Sequence, residues 1–249
     1  MNIIGYSALL YGKDYLGHAI RSIIDEVDEY FVLYTPIGSH GHRTSTPCPD
    51  TRDELYDIAY QAAGEKLRWF ESTWTHEGQQ RDSIFALAPD ADVIVVLDSD
   101  EIWPPGLLRE AIEETSTWHR RDIRMPMIHY WRSLKQVILH DPAFPVRLIY
   151  PNTKSGAETF TPHQGPCVQY RTINHFGYAQ RSEIVKYKQE THGHKNEWRK
   201  DCDWFHDIFM NPLRTTDLHP VGSTAWNWES VDVPEFLKDH PFASLDLIE

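Results

Sequence analysis

Val93-Ile94-Val95-Val96-Leu97-Asp98-Ser99-Asp100-Glu101 is the stretch that decides how this chain reads. Five consecutive apolar residues, bounded by charge, describe a strand buried on both faces, as in the middle of a parallel sheet. Two carboxylates follow, two residues apart. Ligands of open α/β sheets bind beyond the carboxyl ends of strands, and Asp98 and Asp100 stand at such an end. Ionised carboxylates beside a buried strand need partners. A divalent cation is one, because hard oxygen ligands suit Mg2+ and Mn2+. The alternative is an acidic turn that ends the strand and caps the next helix.

Upstream of this stretch, strand-like and helix-like segments alternate. Ile3–Tyr6 reads as a first strand. Asp14 caps a helix on which Leu16, Ile20, Ile23, Ile24 and Val27 follow helical spacing. Tyr30–Tyr34 is a strand, residues 37–52 a loop, and Leu55, Ile58, Ala59 and Ala62 mark another helix. Residues 78–88 form a further helix, stopped before Pro89. This alternation predicts an α/β fold with a mostly parallel sheet flanked by helices. Downstream, Ile123–Tyr130 and Val146–Tyr150 look like strands. Residues 154–168 are loop-like, and 181–210 are polar and helical. The expected division is a core over 1–185 and a C-terminal helical or irregular appendage over 186–249.

The bulk composition narrows the function. The chain has 249 residues, 41% of them hydrophobic, which is enough to bury a core. No run of about 18 apolar residues is present, so no membrane span or membrane partner is expected. The start, Met1-Asn2-Ile3-Ile4, has no basic leader pattern, and the expected location is the cytoplasm, or the host cytoplasm for a phage-encoded chain. Cys48, Cys167 and Cys202 are too widely spaced for a disulfide framework or a C-x-x-C zinc site. The net charge is −13, of which residues 201–249 supply −8, with ten acidic and two basic side chains. That balance disfavours non-specific polyanion binding. Residues 119–135 carry five Lys/Arg against one Asp, and 181–200 carry six against three Glu. Either stretch can face a phosphate or be a solvated surface.

Val93–Glu101 resembles the D-x-D region of GT-A fold glycosyltransferases, especially family-2-like bacterial and phage members. Gly78-Gln79-Gln80-Arg81-Asp82 precedes the strand where that family has a helix near the nucleotide. Ile173-Asn174-His175-Phe176-Gly177-Tyr178 looks like the family's late histidine segment. The resemblance covers roughly residues 3–190. It implies a GT-A, Rossmann-like fold and a nucleotide-sugar donor, most readily a UDP-sugar, with Mn2+ or Mg2+ as cofactor. It also implies roles. Asp100 is the principal metal ligand, and His175 completes the metal site with a neutral imidazole nitrogen. Asp98 contacts the sugar or ribose, or the metal through water. Arg81 pairs with the donor phosphates or holds Asp98, and Asp82 reaches the base or ribose. Tyr6, Ser7 and Ala8 form the nucleoside pocket, and Ser99 belongs to the donor-binding set. Lys186 and Lys188 close over the diphosphate, where positive charge assists the leaving group.

The resemblance fails at the general base. An inverting transferase needs a carboxylate to deprotonate the attacking hydroxyl. The family often places a His-Glu pair after an Arg-Leu-containing strand. This chain has Arg147-Leu148 but then reads Pro162-His163-Gln164, and Gln164 cannot act as a base. Glu158 and His163 are the candidates, unless configuration is retained. Trp103, beside the D-x-D pair, is expected at the donor–acceptor cleft, since aromatic faces stack on sugars and bases. His192 and His194 lack two further ligands and read as a loop.

The expected acceptor is a hydroxyl on a soluble saccharide or small molecule. A hydroxymethylated pyrimidine in phage DNA is the alternative, bound through the local basic stretches. A nucleotidyltransferase and a non-catalytic nucleotide-sugar-binding module remain as other classes. The first lacks its Gly-rich basic signature at Leu9-Leu10-Tyr11-Gly12-Lys13.

Overall fold

The computed structural model describes residues 1–38, 41–139, 144–151, 159–161, 164–169, 171–211, 216–221 and 226–248. Eleven strands and five α-helices are present among them. In chain order they are β1 (Ile3–Leu9), α1 (Lys13–Ile23), β2 (Glu29–Tyr34), α2 (Arg52–Ala63), β3 (Leu67–Glu71), α3 (Glu77–Leu87), β4 (Val93–Val96) and β5 (Glu101–Ile102). There follow α4 (Leu107–Thr115), β6 (Asp122–Arg124), β7 (Met127–Trp131), β8 (Gln136–Leu139), β9 (Val146–Ile149), β10 (Ile173–Tyr178), α5 (Ser182–Thr191) and β11 (Asn227–Ser230).

The first sheet has six strands in the order β3-β2-β1-β4-β9-β6. β1 pairs in parallel with β2 and β4, and β2 with β3. β9 pairs antiparallel with both β4 and β6. The fold is thus α/β, with a mostly parallel sheet flanked by helices. β4 is central, and Val93, Ile94, Val95, Val96 and Leu97 are all buried. Its side chains alternate between two layers. Val93, Val95 and Leu97 pack with the inward faces of α1, α2 and α4, while Ile94 and Val96 pack with Ile84 and Phe85 of α3. Each such side chain contributes roughly 1.5–3 kcal/mol on burial. α2 starts at a capping box. Thr51 Oγ1 accepts from Glu54 N, and Glu54 Oε2 accepts from Thr51 N at 2.9 Å. Such a cap stabilises a helix by about 1 kcal/mol.

The second sheet has the order β11-β8-β7-β10-β5. Its existence corrects two expectations. The predicted strand over Ile123–Tyr130 is two strands in different sheets. Pro126 separates them because it has no N–H to donate, and the adjacent Met125 N bonds Pro145 O at 3.0 Å. The tail also supplies a strand, β11, that pairs antiparallel with β8. Trp198, Trp204, Phe205, Ile208, Phe209, Leu218 and Trp226 pack there against Trp131, Ile138 and Val185. Over 181–210 the α-helix ends at Thr191, and a π-helical turn covers Trp204–Phe209. Asp14 is not the cap of α1. The helix begins at Lys13, and Asp14 sits in its first turn, paired with Arg181 at 2.9 Å. Among the described residues, no helix is long and apolar enough to cross a membrane.

Candidate active site

The chain leaves the first sheet at the end of β4 and enters the second at β5, and the two carboxylates lie in the crossing. Leu97 N donates to Tyr6 O at 2.9 Å, the last bond to β1, and Glu101 N donates to Asp98 O at 3.0 Å, closing the turn. Here the strand order reverses, with β2 and β4 on opposite sides of β1. Such a switch point leaves a crevice at the carboxyl edge. The crevice is a cleft of about 390 Å³. One wall comes from the first sheet and α3: Ala8, Leu10, Tyr11, Gln80 and Arg81. The other comes from the second sheet, α5 and the tail, through His129, His175, Tyr178, Lys188, His219 and Trp226. Gly12 makes the turn possible. Its φ is 127°, and a Cβ there would lie 2.1 Å from Ser99 Oγ.

The two carboxylates have opposite electrostatic settings. Asp98 Oδ1 accepts from Arg81 at 2.7 Å, and Oδ2 accepts from Arg147 at 2.9 Å. Burial pushes its pKa up, but the two guanidiniums outweigh burial and hold the carboxyl well below the usual range. Arg147 also donates from Nε to Glu101 Oε2 at 2.7 Å. Glu101 is buried, and burial raises its pKa against the pull of Arg147. Among the described residues, no arginine pairs with Asp100. Gln180 donates to its Oδ2 at 3.0 Å, and Lys188 Nζ stands 3.8 Å from that oxygen. Burial raises the Asp100 pKa, Lys188 opposes the shift and Asp98 adds to it. An aspartate whose charge is under-compensated at the floor of a cleft is suited to take up a cation.

His175 projects from β10 beside Asp100, with Nε2 3.7 Å from Asp100 Oδ1. Burial lowers its pKa well below the ordinary imidazole value, and His129, Lys188 and Arg147 push the same way. The ring is therefore neutral at neutral pH, as a metal ligand must be. Among the described residues, no group of three or more His, Cys, Asp or Glu side chains converges on one cation position. Asp98 is withdrawn from such a set because both of its oxygens hold arginines. What remains is a two-ligand edge, Asp100 Oδ1 and His175 Nε2. Mg2+ binds through one or two protein ligands together with waters and substrate phosphates. The donor set fits an ion shared with a diphosphate and does not fit a cage made of protein alone.

The cleft gathers Ala8, Arg81, Asp98, Ser99, Asp100, His175 and Lys188 from the expected set. Arg81 takes the role of holding Asp98. Ser99 donates to Tyr11 O at 3.1 Å. The other expectations need correction. Strand alternation turns Tyr6 into the layer under α3 and Ser7 into the opposite layer, where Ser7 Oγ donates to Leu97 O at 2.6 Å. Asp82 does not reach the cleft and accepts from Phe160 N at 2.6 Å. Trp103 is a core residue, 1% exposed, packed in the main cluster with α1 and α4. Lys186 is exposed on the face of α5 away from the cleft, because Val185 and Lys188 point the other way. Glu158 and His163 lie outside the described residues. His192 lines the cleft, while His194 bonds Glu197 at 3.0 Å.

Sequence reasoning gave no site role to Arg147, Glu101, Gln180 or His129. Two of them left a signal: an arginine inside the apolar run Val146–Ile149 and a histidine inside Met127–Trp131 mark charge or polarity pointed into the protein. Gln180 and Glu101 have no such local sign.

No family model matches this chain, and no curated protein does. Among solved structures, glucosyl-3-phosphoglycerate synthase from Mycobacterium tuberculosis, in complex with Mn2+, UDP and phosphoglyceric acid, is similar at 16% identity, over 51% of this chain and 43% of that one, with a TM-score of 0.38. A mycobacterial protein is similar at 18% identity, over 51% of this chain and 41% of that one, with a TM-score of 0.39. TarS residues 1–349 from S. aureus is similar at 10% identity, over 76% and 64%, with a TM-score of 0.44. The chain thus spans less than half the length of the two mycobacterial proteins.

Proposed function

We propose that this chain is a metal-assisted glycosyltransferase of the GT-A type. It moves a sugar from a nucleotide-sugar, a UDP-sugar first among them, to a hydroxyl of a soluble saccharide or small molecule. The observation that carries the reading is Asp100 at the carboxyl end of β4, with its charge under-compensated and His175 Nε2 3.7 Å away across a cleft of about 390 Å³. A cleft of that size is within the range that holds small ligands.

In this reading Ala8, Leu10 and Tyr11 hold the nucleoside on the first-sheet wall. Asp100 and His175 hold Mn2+ or Mg2+, which when bound supplies charge neutralisation to the departing diphosphate. Lys188 adds a positive charge on the same side. Arg81 and Arg147 fix Asp98 so that the turn keeps its shape through the reaction. Glu158 is the proposed base for an inverting reaction. The small-molecule or saccharide acceptor is favoured over hydroxymethylated DNA because the basic stretch at 120–124 is largely engaged. Arg121 donates to Thr159 O at 2.7 Å and Arg124 to Gly165 O at 2.8 Å.

The test is a donor screen. The protein is mixed with Mn2+ and a panel of nucleotide-sugars, and free nucleotide is measured with and without EDTA. Release of nucleotide from at least one donor, abolished by EDTA and restored by Mn2+, supports the reading. Donor-dependent thermal stabilisation without any release points instead to a binding module. Release undiminished in EDTA rejects the metal.

A further inference from the structure

We propose that His129 is the positioning residue of this site: one Nδ1–Nδ1 hydrogen bond holds the His175 ring with Nε2 toward Asp100, and that bond runs in either direction according to whether a cation is present. The cation half rests on the reading above. The ring-holding half does not.

β7 and β10 are parallel neighbours, and His129 stands opposite His175 in their register. The two Nδ1 atoms are 2.7 Å apart, and the rings meet nearly at right angles, at 83°. His129 is only 6% exposed, so its end of the bond is largely shielded from solvent. Gly177, two residues along β10, leaves space for the ring. A Cβ there would lie 2.5 Å from His175 Cε1 and 2.7 Å from Nε2.

Two Nδ1 atoms at this distance require one proton between them. Two N–H groups would collide head-on, and two lone pairs would repel. For two neutral rings, one therefore carries its proton on Nδ1 and the other on Nε2. The direction follows from what lies beyond. Without a cation, Asp100 Oδ1 faces His175 Nε2, so a proton on Nε2 is favoured. His129 then donates from its own Nδ1. A cation at Asp100 needs the Nε2 lone pair. His175 then carries its proton on Nδ1 and donates to His129, whose proton moves to its Nε2. Each ring keeps one proton and stays neutral, and the hydrogen bond survives. A metal-bound histidine usually donates its second N–H to a carboxylate or carbonyl. Those partners only accept, whereas an imidazole also donates, so His129 holds the ring in both states.

The first arm of the test uses the metal-free wild-type protein with 15N-labelled histidines. Long-range proton–nitrogen spectra, assigned with His175→Asn, read which nitrogen of each ring carries the proton. His175 protonated at Nε2 and His129 at Nδ1 is the expected result. The same tautomer in both rings, or a charged ring at neutral pH, overturns the proposal. The second arm titrates Mn2+ in the presence of UDP, against a protein-free UDP control, and follows the free-ion EPR signal for wild type, His129→Asn and His129→Phe. Phe fills the space but cannot hydrogen-bond, and it should weaken Mn2+ binding about 10–100-fold, the usual loss when such a partner is removed. Asn places an amide near the Nδ1 position and should restore most of the affinity. Equal losses in both variants, or none in Phe, reject the positioning role. If wild type with UDP binds no Mn2+ beyond the UDP control, the cation half falls together with the metal-assisted reading, and the metal-free spectra still decide the ring-holding half.

Discussion

Arg147 donates a hydrogen bond to Asp98 Oδ2 at 2.9 Å, so the first carboxylate of the D-x-D pair belongs to an internal ion-pair network. Arg81 holds its other oxygen. The second carboxylate, two residues on, pairs with no guanidinium among the described residues. One short motif therefore divides into a structural acid and a chemical one.

Substitution should separate the two. Asp98→Ala removes the carboxylate that two largely buried arginines share, leaving Arg81 with Glu77 and Arg147 with Glu101, and should cost about 3 kcal/mol of stability, the low end of the penalty for breaking a buried pair. Asp100→Ala removes a carboxylate whose charge burial already disfavours, and should change stability by no more than about 1 kcal/mol. Its donor hydrolysis should nevertheless vanish. Urea denaturation of both variants, run beside the nucleotide-release assay, checks this, and the reverse order of stabilities would remove the division of roles.

The pH dependence follows from the same shifts. The Asp98 pKa is depressed, so its contribution is fully present above the unfolded value of about 3.9 and is lost only as pH falls through the lower folded value. The Asp100 pKa is raised, so the folded protein binds its proton more tightly than the unfolded chain does. The contribution of Asp100 to stability should therefore rise as pH is lowered from neutrality, while buried, neutral His175 contributes in the opposite direction because the unfolded chain takes up its proton first. Asp100→Asn should remove only the part of the pH dependence that Asp100 supplies, leaving that of Glu101, whose pKa burial also raises. Activity should move oppositely, because the ionised form holds the cation. Its acid limb should lie above the ordinary carboxylate range, with no imidazole limb near 6.5, since burial keeps His175 neutral. Denaturation midpoints and initial rates across pH 4–8, the window spanned roughly by these side-chain values, test both limbs.

Lys188 and Lys186 should differ although they are two residues apart on α5. Lys188 Nζ stands 3.8 Å from Asp100, and Lys186 is exposed on another face. Lys188→Ala should lower kcat for donor hydrolysis about 10²-fold, the usual loss for one group that stabilises developing charge. Lys186→Ala should leave it within experimental error. Equal losses would mean that α5 sits differently over the donor.

Trp103 should behave as core. Trp103→Ala should cost about 3–5 kcal/mol, as large-to-small changes at buried aromatics do. The KM for the donor should not change in the folded fraction. A raised KM with unchanged stability would return Trp103 to the cleft.

The apolar run Val93–Leu97 and the alternation of segments before it were enough to determine the α/β class and the position of the two acids, because strand burial and strand order are written in local pattern. Leu55, Ile58, Ala59 and Ala62 all lie on α2, and the helix expected over 78–88 matches α3 to within a residue at each end. Side-chain direction was not legible. Tyr6 and Ser7 were expected in the nucleoside pocket, but the two-residue alternation of a strand covered on both sides sends them into opposite layers, and only the packing of α1 and α3 sets which layer is which. The second sheet was also hidden. Its strands are short, come from four separated regions and owe their stability to partners far along the chain. The tertiary structure alone decided that Arg147, 49 residues after Asp98, ties up that carboxylate. It also decided that His129, 46 residues before His175, meets its Nδ1. The first contact joins β9 to the turn after β4 and the second joins neighbouring strands of the second sheet, and a hydrogen bond between distant residues leaves no period or spacing in the sequence by which to read it.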